Sequence, residues 1–238
     1  MANSWFRFKQ FTVHQRQAAM KVTTDACLFG ALLPHFHPSA GVRMLDIGTG
    51  TGLLSLMAAQ RNPGANITAV EIDKAAAEEA AGNIADSPFS RNISIVQQDI
   101  FQYDPVEPFQ HIFSNPPFYE HQLASPHSKK NIAHHSTALT LTDLLAFIDH
   151  WLLPTGTASL LLPYYREEEA VRSAMAEKLF AQTIVRVKQT PGHAYFRSIV
   201  HFARTKADPT IEEIVIRDTE DRYTPAFITL LQPFYLNL

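Results

Sequence analysis

Short apolar runs alternate with segments of helical period along most of the chain. Val42 to Ile47, Ile67 to Glu71, Ile93 to Gln97, Phe109 to Ser114 and Thr157 to Leu162 read as buried strands. Between them, Leu53 to Arg61, the Ala- and Glu-rich stretch from Lys74 to about Asp86, and Thr140 to Leu152 carry helical period. Upstream, Thr24 to Leu33 predicts a short helix with Thr24 as its N-cap and Pro34 as its stop. Pro154-Thr155-Gly156 predicts a turn into the Thr157 strand, and Arg166 to Leu179 an amphipathic helix. Gln182 to Gln189 and Ser198 to Arg204 read as two strands joined by the turn-rich Thr190 to Phe196, a connection suited to an antiparallel hairpin. A strand from Ile211 to Arg217 and a helix from Thr224 to Tyr235 follow. Such alternation predicts an α/β fold: a mostly parallel sheet with helices on both faces, closed by a hairpin.

Composition narrows the class. With 238 residues, 46% hydrophobic and 18% charged, the chain suits one globular domain with embellishments and falls outside the disordered, collagenous and membrane classes. Cys27 is the single cysteine, which excludes an intramolecular disulfide framework and argues against a cysteine-rich zinc site. No apolar stretch near Met1 has signal-peptide length and none elsewhere reaches transmembrane length, so a cytoplasmic location is expected. The net charge of −3 gives no overall basic footprint. Locally, Arg7, Lys9, Arg16 and Lys21 near the start, and Arg186, Lys188, Arg197, Arg204 and Lys206 near the hairpin, have no acid among them. Each group reads either as a face for phosphate or as an ordinary solvated face.

The chemistry is carried at predicted strand ends. Asp46-Ile47-Gly48-Thr49-Gly50-Thr51-Gly52 places alternate glycines where the first core strand turns into a helix, and glycine lets backbone approach a ligand closely. A dinucleotide fingerprint would need glycine at position 53, where Leu53 stands, which speaks against a nicotinamide dehydrogenase. Glu71 ends the next strand, where a carboxylate can accept from both hydroxyls of a ribose. Asp99 ends the strand after that, with Ile72 and Ile100 as apolar walls for a ring. Asn115-Pro116-Pro117-Phe118 follows the fourth strand. Two prolines remove two N–H donors and fix φ, leaving the Asn115 amide and neighbouring carbonyls as acceptors beside an aromatic face, a socket for a planar amine. Taken alone, the tetrad also reads as a Pro-rich turn, and each acid as a loop cap. His121, His127, His134 and His135 gather in the following loop, but adjacent histidines and a distant cysteine fit a surface loop better than a metal site, so no metal is expected.

The glycine loop resembles the D-x-G-x-G-x-G loop of S-adenosyl-L-methionine enzymes, and the tetrad resembles the Asn-Pro-Pro-aromatic signature of methyltransferases acting on exocyclic or amide nitrogens. Phe6-Arg7-Phe8-Lys9-Gln10-Phe11, Met20-Lys21-Val22-Thr23-Thr24-Asp25, Ile214 to Arg217 and Phe234-Tyr235-Leu236 are similar to the corresponding stretches of the bacterial tRNA-valine adenine-N6 methyltransferase family. This resemblance implies a Rossmann-like seven-stranded methyltransferase sheet. It also implies a segment 1–40 covering the site, a core over 41–207, and a strand-helix appendage over 208–238. By the same resemblance, Asp46, Gly48, Gly50, Gly52, Glu71, Ile72, Asp99, Ile100 and Asn115 hold S-adenosyl-L-methionine. Asn115 to Phe118 grip the adenine: the Asn115 oxygen and Pro116 carbonyl accept its amine hydrogens and Phe118 stacks on the base. Phe8, Lys9, Lys21, Lys129 and Arg197 are candidate contacts to tRNA, the expected partner of a monomer with no membrane attachment. Thr23 stands where the family often has glycine, and Ala133-His134-His135 where an Ala-Arg pair is common. Guanine-N2 and protein-glutamine methylation remain alternatives within the class, and a cofactor-binding module that holds RNA without methylating it is one outside it.

Overall fold

The computed structural model describes residues 3–17, 20–37, 41–117 and 139–238. A two-stranded antiparallel hairpin, β1 (Trp5–Arg7) and β2 (Thr12–His14), precedes helix α1 (Thr24–Leu32). The core then alternates as β3 (Arg43–Ile47), α2 (Leu53–Arg61), β4 (Asn66–Glu71), α3 (Lys74–Ala85), β5 (Ile93–Gln97) and β6 (Phe109–Ser114). It continues with α4 (Leu141–Trp151), β7 (Leu152–Pro163), α5 (Glu167–Ala176), β8 (Phe180–Lys188), β9 (Tyr195–Ala203), β10 (Thr210–Val215) and α6 (Pro225–Leu231). Strands β3 to β10 form one sheet in the order β10-β8-β9-β7-β6-β3-β4-β5, and β9 alone runs against its neighbours. The chain order reverses beside β3, which makes the C-terminal end of that strand the crevice where open α/β sheets bind ligands.

Alternation along each strand feeds two cores. Leu161 packs with α1, α2 and α6 on one face, while Leu160 and Leu162 pack with α4 and α5 on the other. Near the turn of the β8–β9 hairpin, a buried Glu167 accepts from Ser198 Oγ at 2.5 Å and from Arg186 Nη2 at 2.7 Å, so this carboxylate enters the interior with its charge partnered.

Four sequence expectations are corrected. The cap of α1 is Thr23, whose Oγ1 accepts from Ala26 N at 3.4 Å; Thr24 is already helical, so threonine at 23 has a structural use. The Pro154–Gly156 turn is absent because β7 runs through it. The pairing slips there from Phe109–Leu152 to His111–Thr157, and the resulting bulge accommodates a proline that has no N–H to give the ladder. Helix α5 ends at Ala176, closed by Lys178 at φ 57°, with Leu179 N donating back to Ala174 O. Finally, the seven expected strands gain an eighth, since β10 pairs parallel to β8 and covers what would otherwise be an open edge.

The N-terminal hairpin has a clear physical reason to exist. Phe8 is 1% exposed, stacked on Phe11 at 4.6 Å and tilted against Phe6 and Tyr235 at 4.7 and 5.9 Å, and its backbone bridges to Tyr235. Replacing Phe8 with Ala should therefore lower unfolding stability by about 3–4 kcal/mol through the cavity it leaves. Phe8→Leu should cost less and leave ligand affinities intact; loss of cofactor or RNA affinity in a stably folded Phe8→Leu would instead mean that the ring touches ligand.

Candidate active site

Four successive sheet positions bring the candidate residues together. In the order β6, β3, β4, β5, their C-terminal ends carry Asn115, the glycine loop, Glu71 and Asp99. Neighbouring strands lie about 4.8 Å apart, so this line spans about 14 Å, the reach of an extended nucleoside-sized ligand.

The glycine loop is shaped by left-handed backbone. Gly48, Gly50 and Gly52 have φ of 71°, 55° and 81°, which side chains rarely adopt, and open space surrounds the Cβ positions of Gly48 and Gly50. Beneath it, Asp46 is 0% exposed; its Oδ2 accepts from Thr49 Oγ1 at 2.6 Å and from Ser55 Oγ at 2.7 Å. Burial pushes this carboxyl up to about 6, the two hydroxyls opposing and the nearby Glu71 charge adding to the rise. Its other oxygen, Oδ1, is buried with no partner among the described residues. Asp46 therefore lies below the loop, fastening it, and can meet a ligand only through Oδ1.

Glu71 holds the loop from the other side. Its Oε2 accepts from Gly50 N at 2.8 Å and its Oε1 from Asp73 N at 2.9 Å, which leaves each oxygen a second lone pair for a hydroxyl. Asp99 Oδ1 accepts from Phe101 N at 3.0 Å, capping a single 3₁₀ turn and leaving Oδ2 available. Of the two expected ring walls, Ile72 is 52% exposed beside Glu71, whereas Ile100 is buried in the core.

At β6, Ser114 Oγ donates to Ile47 O at 2.7 Å and so locks the tetrad's strand end to the glycine loop's strand. Asn115 is half-buried, Pro116 buried and Pro117 exposed. The Asn115 Nδ2 faces Met20 Sδ at 3.8 Å, and its Oδ1 has no hydrogen-bond donor among the described residues. Phe118, Lys129 and the histidines at 121, 127, 134 and 135 lie outside the described residues.

The contact of Met20 with Asn115 was not foreseen, because no periodicity signals a contact between residues so distant in sequence. This segment is fastened at several points. His14 N donates to Asn83 Oδ1 at 2.8 Å, and Asn83 Nδ2 donates to Thr51 O at 2.9 Å, so a buried amide joins the hairpin to the glycine loop. Arg16 N and Gln17 N donate to Glu79, and Val22 N to Gln15 Oε1. Beyond Met20, Asp25 accepts from Arg197 Nε at 2.7 Å at the start of β9.

The candidate RNA contacts separate. Lys21 is exposed directly beside Met20, and Arg197 stands at the same end of the sheet as Asn115. Lys9, by contrast, donates through Nζ to Gln232 O at 2.5 Å. The adjoining Pro233 O takes Gln60, at the end of α2 remote from the glycine loop. Lys9, exposed, and the buried Phe8 are both tied to the C-terminal tail. Cys27 is buried and its thiol pushed up to about 12 by desolvation, which removes it as a nucleophile. Among the described residues no His, Cys, Asp and Glu gather as a metal site, and no helix is long and apolar enough to cross a membrane.

Residues 29–143 match the family model described as the methyltransferase small domain. Solved structures share the fold. One is a protein from Agrobacterium tumefaciens described as a predicted O-methyltransferase, with TM-score 0.70 and 19% identity over 90% of this chain and 100% of that one. Another is a putative RNA methyltransferase from Pyrococcus horikoshii, with TM-score 0.52 and 16% identity over 70% and 76%. Full-length relatives are closer in sequence. The tRNA1(Val) (adenine(37)-N6)-methyltransferase of Pseudoalteromonas translucida is 39% identical over 99% of this chain and 100% of its own. The protein of that name from Bacteroides thetaiotaomicron is 37% identical over the whole of both. The chain belongs to the tRNA1(Val) (adenine(37)-N6)-methyltransferase family.

Proposed function

We infer that this protein transfers a methyl group from S-adenosyl-L-methionine to the exocyclic N6 of the adenine immediately 3′ of the anticodon in tRNA-valine. The observation that carries this reading is the Asn115 amide, held at the end of β6 with its oxygen unengaged among the described residues, next to a glycine loop clamped by two carboxylates. The family's full-length match supports the choice of substrate.

The residues present fit the cofactor. Gly48 and Gly50 leave open space where side chains would stand, Glu71 and Asp99 keep acceptor positions for hydroxyl and amine hydrogens, and the buried Asp46 Oδ1 awaits a positive group or a water. When bound, S-adenosyl-L-methionine supplies an electrophilic methyl on a sulfonium. An adenine amine is a weak nucleophile because its lone pair is delocalised into the ring. Accepting its two hydrogens on Asn115 Oδ1 and the Pro116 carbonyl favours a pyramidal nitrogen and stabilises positive charge as it develops. Phe118 provides the stacking face in this reading, and holding the amine in line does much of the work. A base reached this way leaves its stack, at least cost in an unpaired loop. Lys21, exposed beside Met20, is a described cation for phosphate, with Lys129 as a further candidate, while Arg197 is already paired with Asp25.

Two outcomes are expected. Asn115→Ala should lower turnover on the order of 10²–10³-fold while retaining cofactor affinity; with labelled cofactor and unmodified tRNA-valine, the wild type should place label in N6-methyladenosine, and label in guanosine or in protein would overturn the reading. The second concerns Asp46. Because burial raises its pKa above the unfolded value near 3.8, the folded state is favoured when it is protonated. That stability is present below about pH 4 and lost as pH rises through about 6, a change on the order of 3 kcal/mol. Denaturant unfolding of Asp46→Asn should therefore gain on wild type between pH 4 and 7; a stability difference that does not vary with pH would sink the assignment.

A further inference from the structure

The sheet end that carries Asn115 continues past β6 into an aromatic rim. Ser114 pairs with Leu160 on β7, so Asn115 to Pro117 are level with Leu161 to Pro163, and Tyr164 and Tyr165 come directly after. Pro163 in turn pairs with Arg197 on β9, which places Tyr195 and Phe196 at the same level one strand further on. With strands about 4.8 Å apart, the tyrosines after β7 stand about one strand spacing from the tetrad and the rings of β9 about two.

Phe196 packs against the core, whereas Tyr164 and Tyr195 are half-buried and arranged with cations. Tyr164 and Tyr195 lie 5.1 Å apart between centroids, and the Arg186 guanidinium sits over both, at 5.7 and 5.8 Å. Lys188 caps the Tyr195 ring at 4.5 Å and Arg197 the Phe196 ring at 5.6 Å. Tyr165 is 61% exposed. Each of these cations also has an acid partner: Arg186 has Glu167, Lys188 has Glu213 and Arg197 has Asp25. The rim is therefore close to neutral, and what it offers a partner is ring faces more than charge.

We propose that Tyr164, Tyr165 and Tyr195 form a stacking shelf for the unpaired nucleotides that flank the target adenine. This rests on the tRNA reading above and deepens it. A base taken out of a loop leaves neighbours that have lost a stacking partner, and aromatic faces one or two strand spacings away supply a replacement. Stacking is tolerant of base identity, since every base has a π face. Because its cations are already partnered, the shelf contributes affinity with little salt dependence, unlike phosphate contacts.

Binding of an anticodon stem-loop, measured with the base beside the target adenine either present or replaced by an abasic site, tests the shelf. Tyr165→Ala and Tyr195→Leu should each weaken binding of the intact loop roughly tenfold, and Tyr165→Phe should bind like wild type. The abasic loop should bind wild type as weakly as the intact loop binds the alanine variant, and combining the two changes should add little further loss. Variants that bind the intact loop like wild type, or that weaken intact and abasic loops by the same factor, would overturn the shelf. Melting temperature identifies a variant that has failed to fold, and Tyr165→Phe keeps the test decisive in that case. Failure of the wild type itself to methylate adenine in tRNA would instead remove the underlying reading.

Discussion

A glycine loop has no side chains with which to hold its own shape, and this one is held by two carboxylates from adjacent strands. Asp46 reaches up from β3 to Thr49 and Ser55, and Glu71 reaches across from β4 to the Gly50 amide. Left-handed backbone at three glycines is entropically costly to order, so the clamp is what makes the loop a fixed surface. The like charges of the two acids also oppose each other, so the clamp stores unfavourable electrostatics that an incoming cation would relieve.

A second chain of contacts makes the loop and the tetrad one unit. Asn83 links Thr51 to the end of β2, the chain then crosses to Met20 at Asn115, and Asp25 anchors it to Arg197. The glycine loop, the Asn115 amide and the start of β9 are thus each tied to the N-terminal segment, itself anchored through Phe8 and Tyr235. The tetrad also has a direct tie, from Ser114 to Ile47, so its height relative to the loop is set by sheet pairing rather than by loop conformation.

Much of this was legible in the residues. Strand ends at Ile47, Glu71, Gln97 and Ser114 follow from the apolar runs, and sheet pairing brings the residues at those ends to one edge of the sheet. What escaped depends on partners distant in sequence. Pro154 and Gly156 look like a turn, yet pairing with β6 draws them into a bulged strand. The Ile211 strand was read as an appendage because nothing local reveals that β8 needs a neighbour. Lys9 looked like a phosphate ligand by its charge, but its ammonium is taken by the carbonyl of Gln232. Phe8 shows the same limit, since an aromatic in a basic stretch can be read as a ligand contact until its burial is known.

The joining of Phe8 to Tyr235 also bears on how the molecule is made. The hairpin's partner Tyr235 is far from it along the chain, and contacts of such separation form late because their loop must close first. During synthesis the Rossmann-like core can pair its strands while the β1–β2 hairpin still lacks its anchor. The hairpin and the contacts it makes with the glycine loop through Asn83 are therefore completed only after residues 227–235 have left the ribosome.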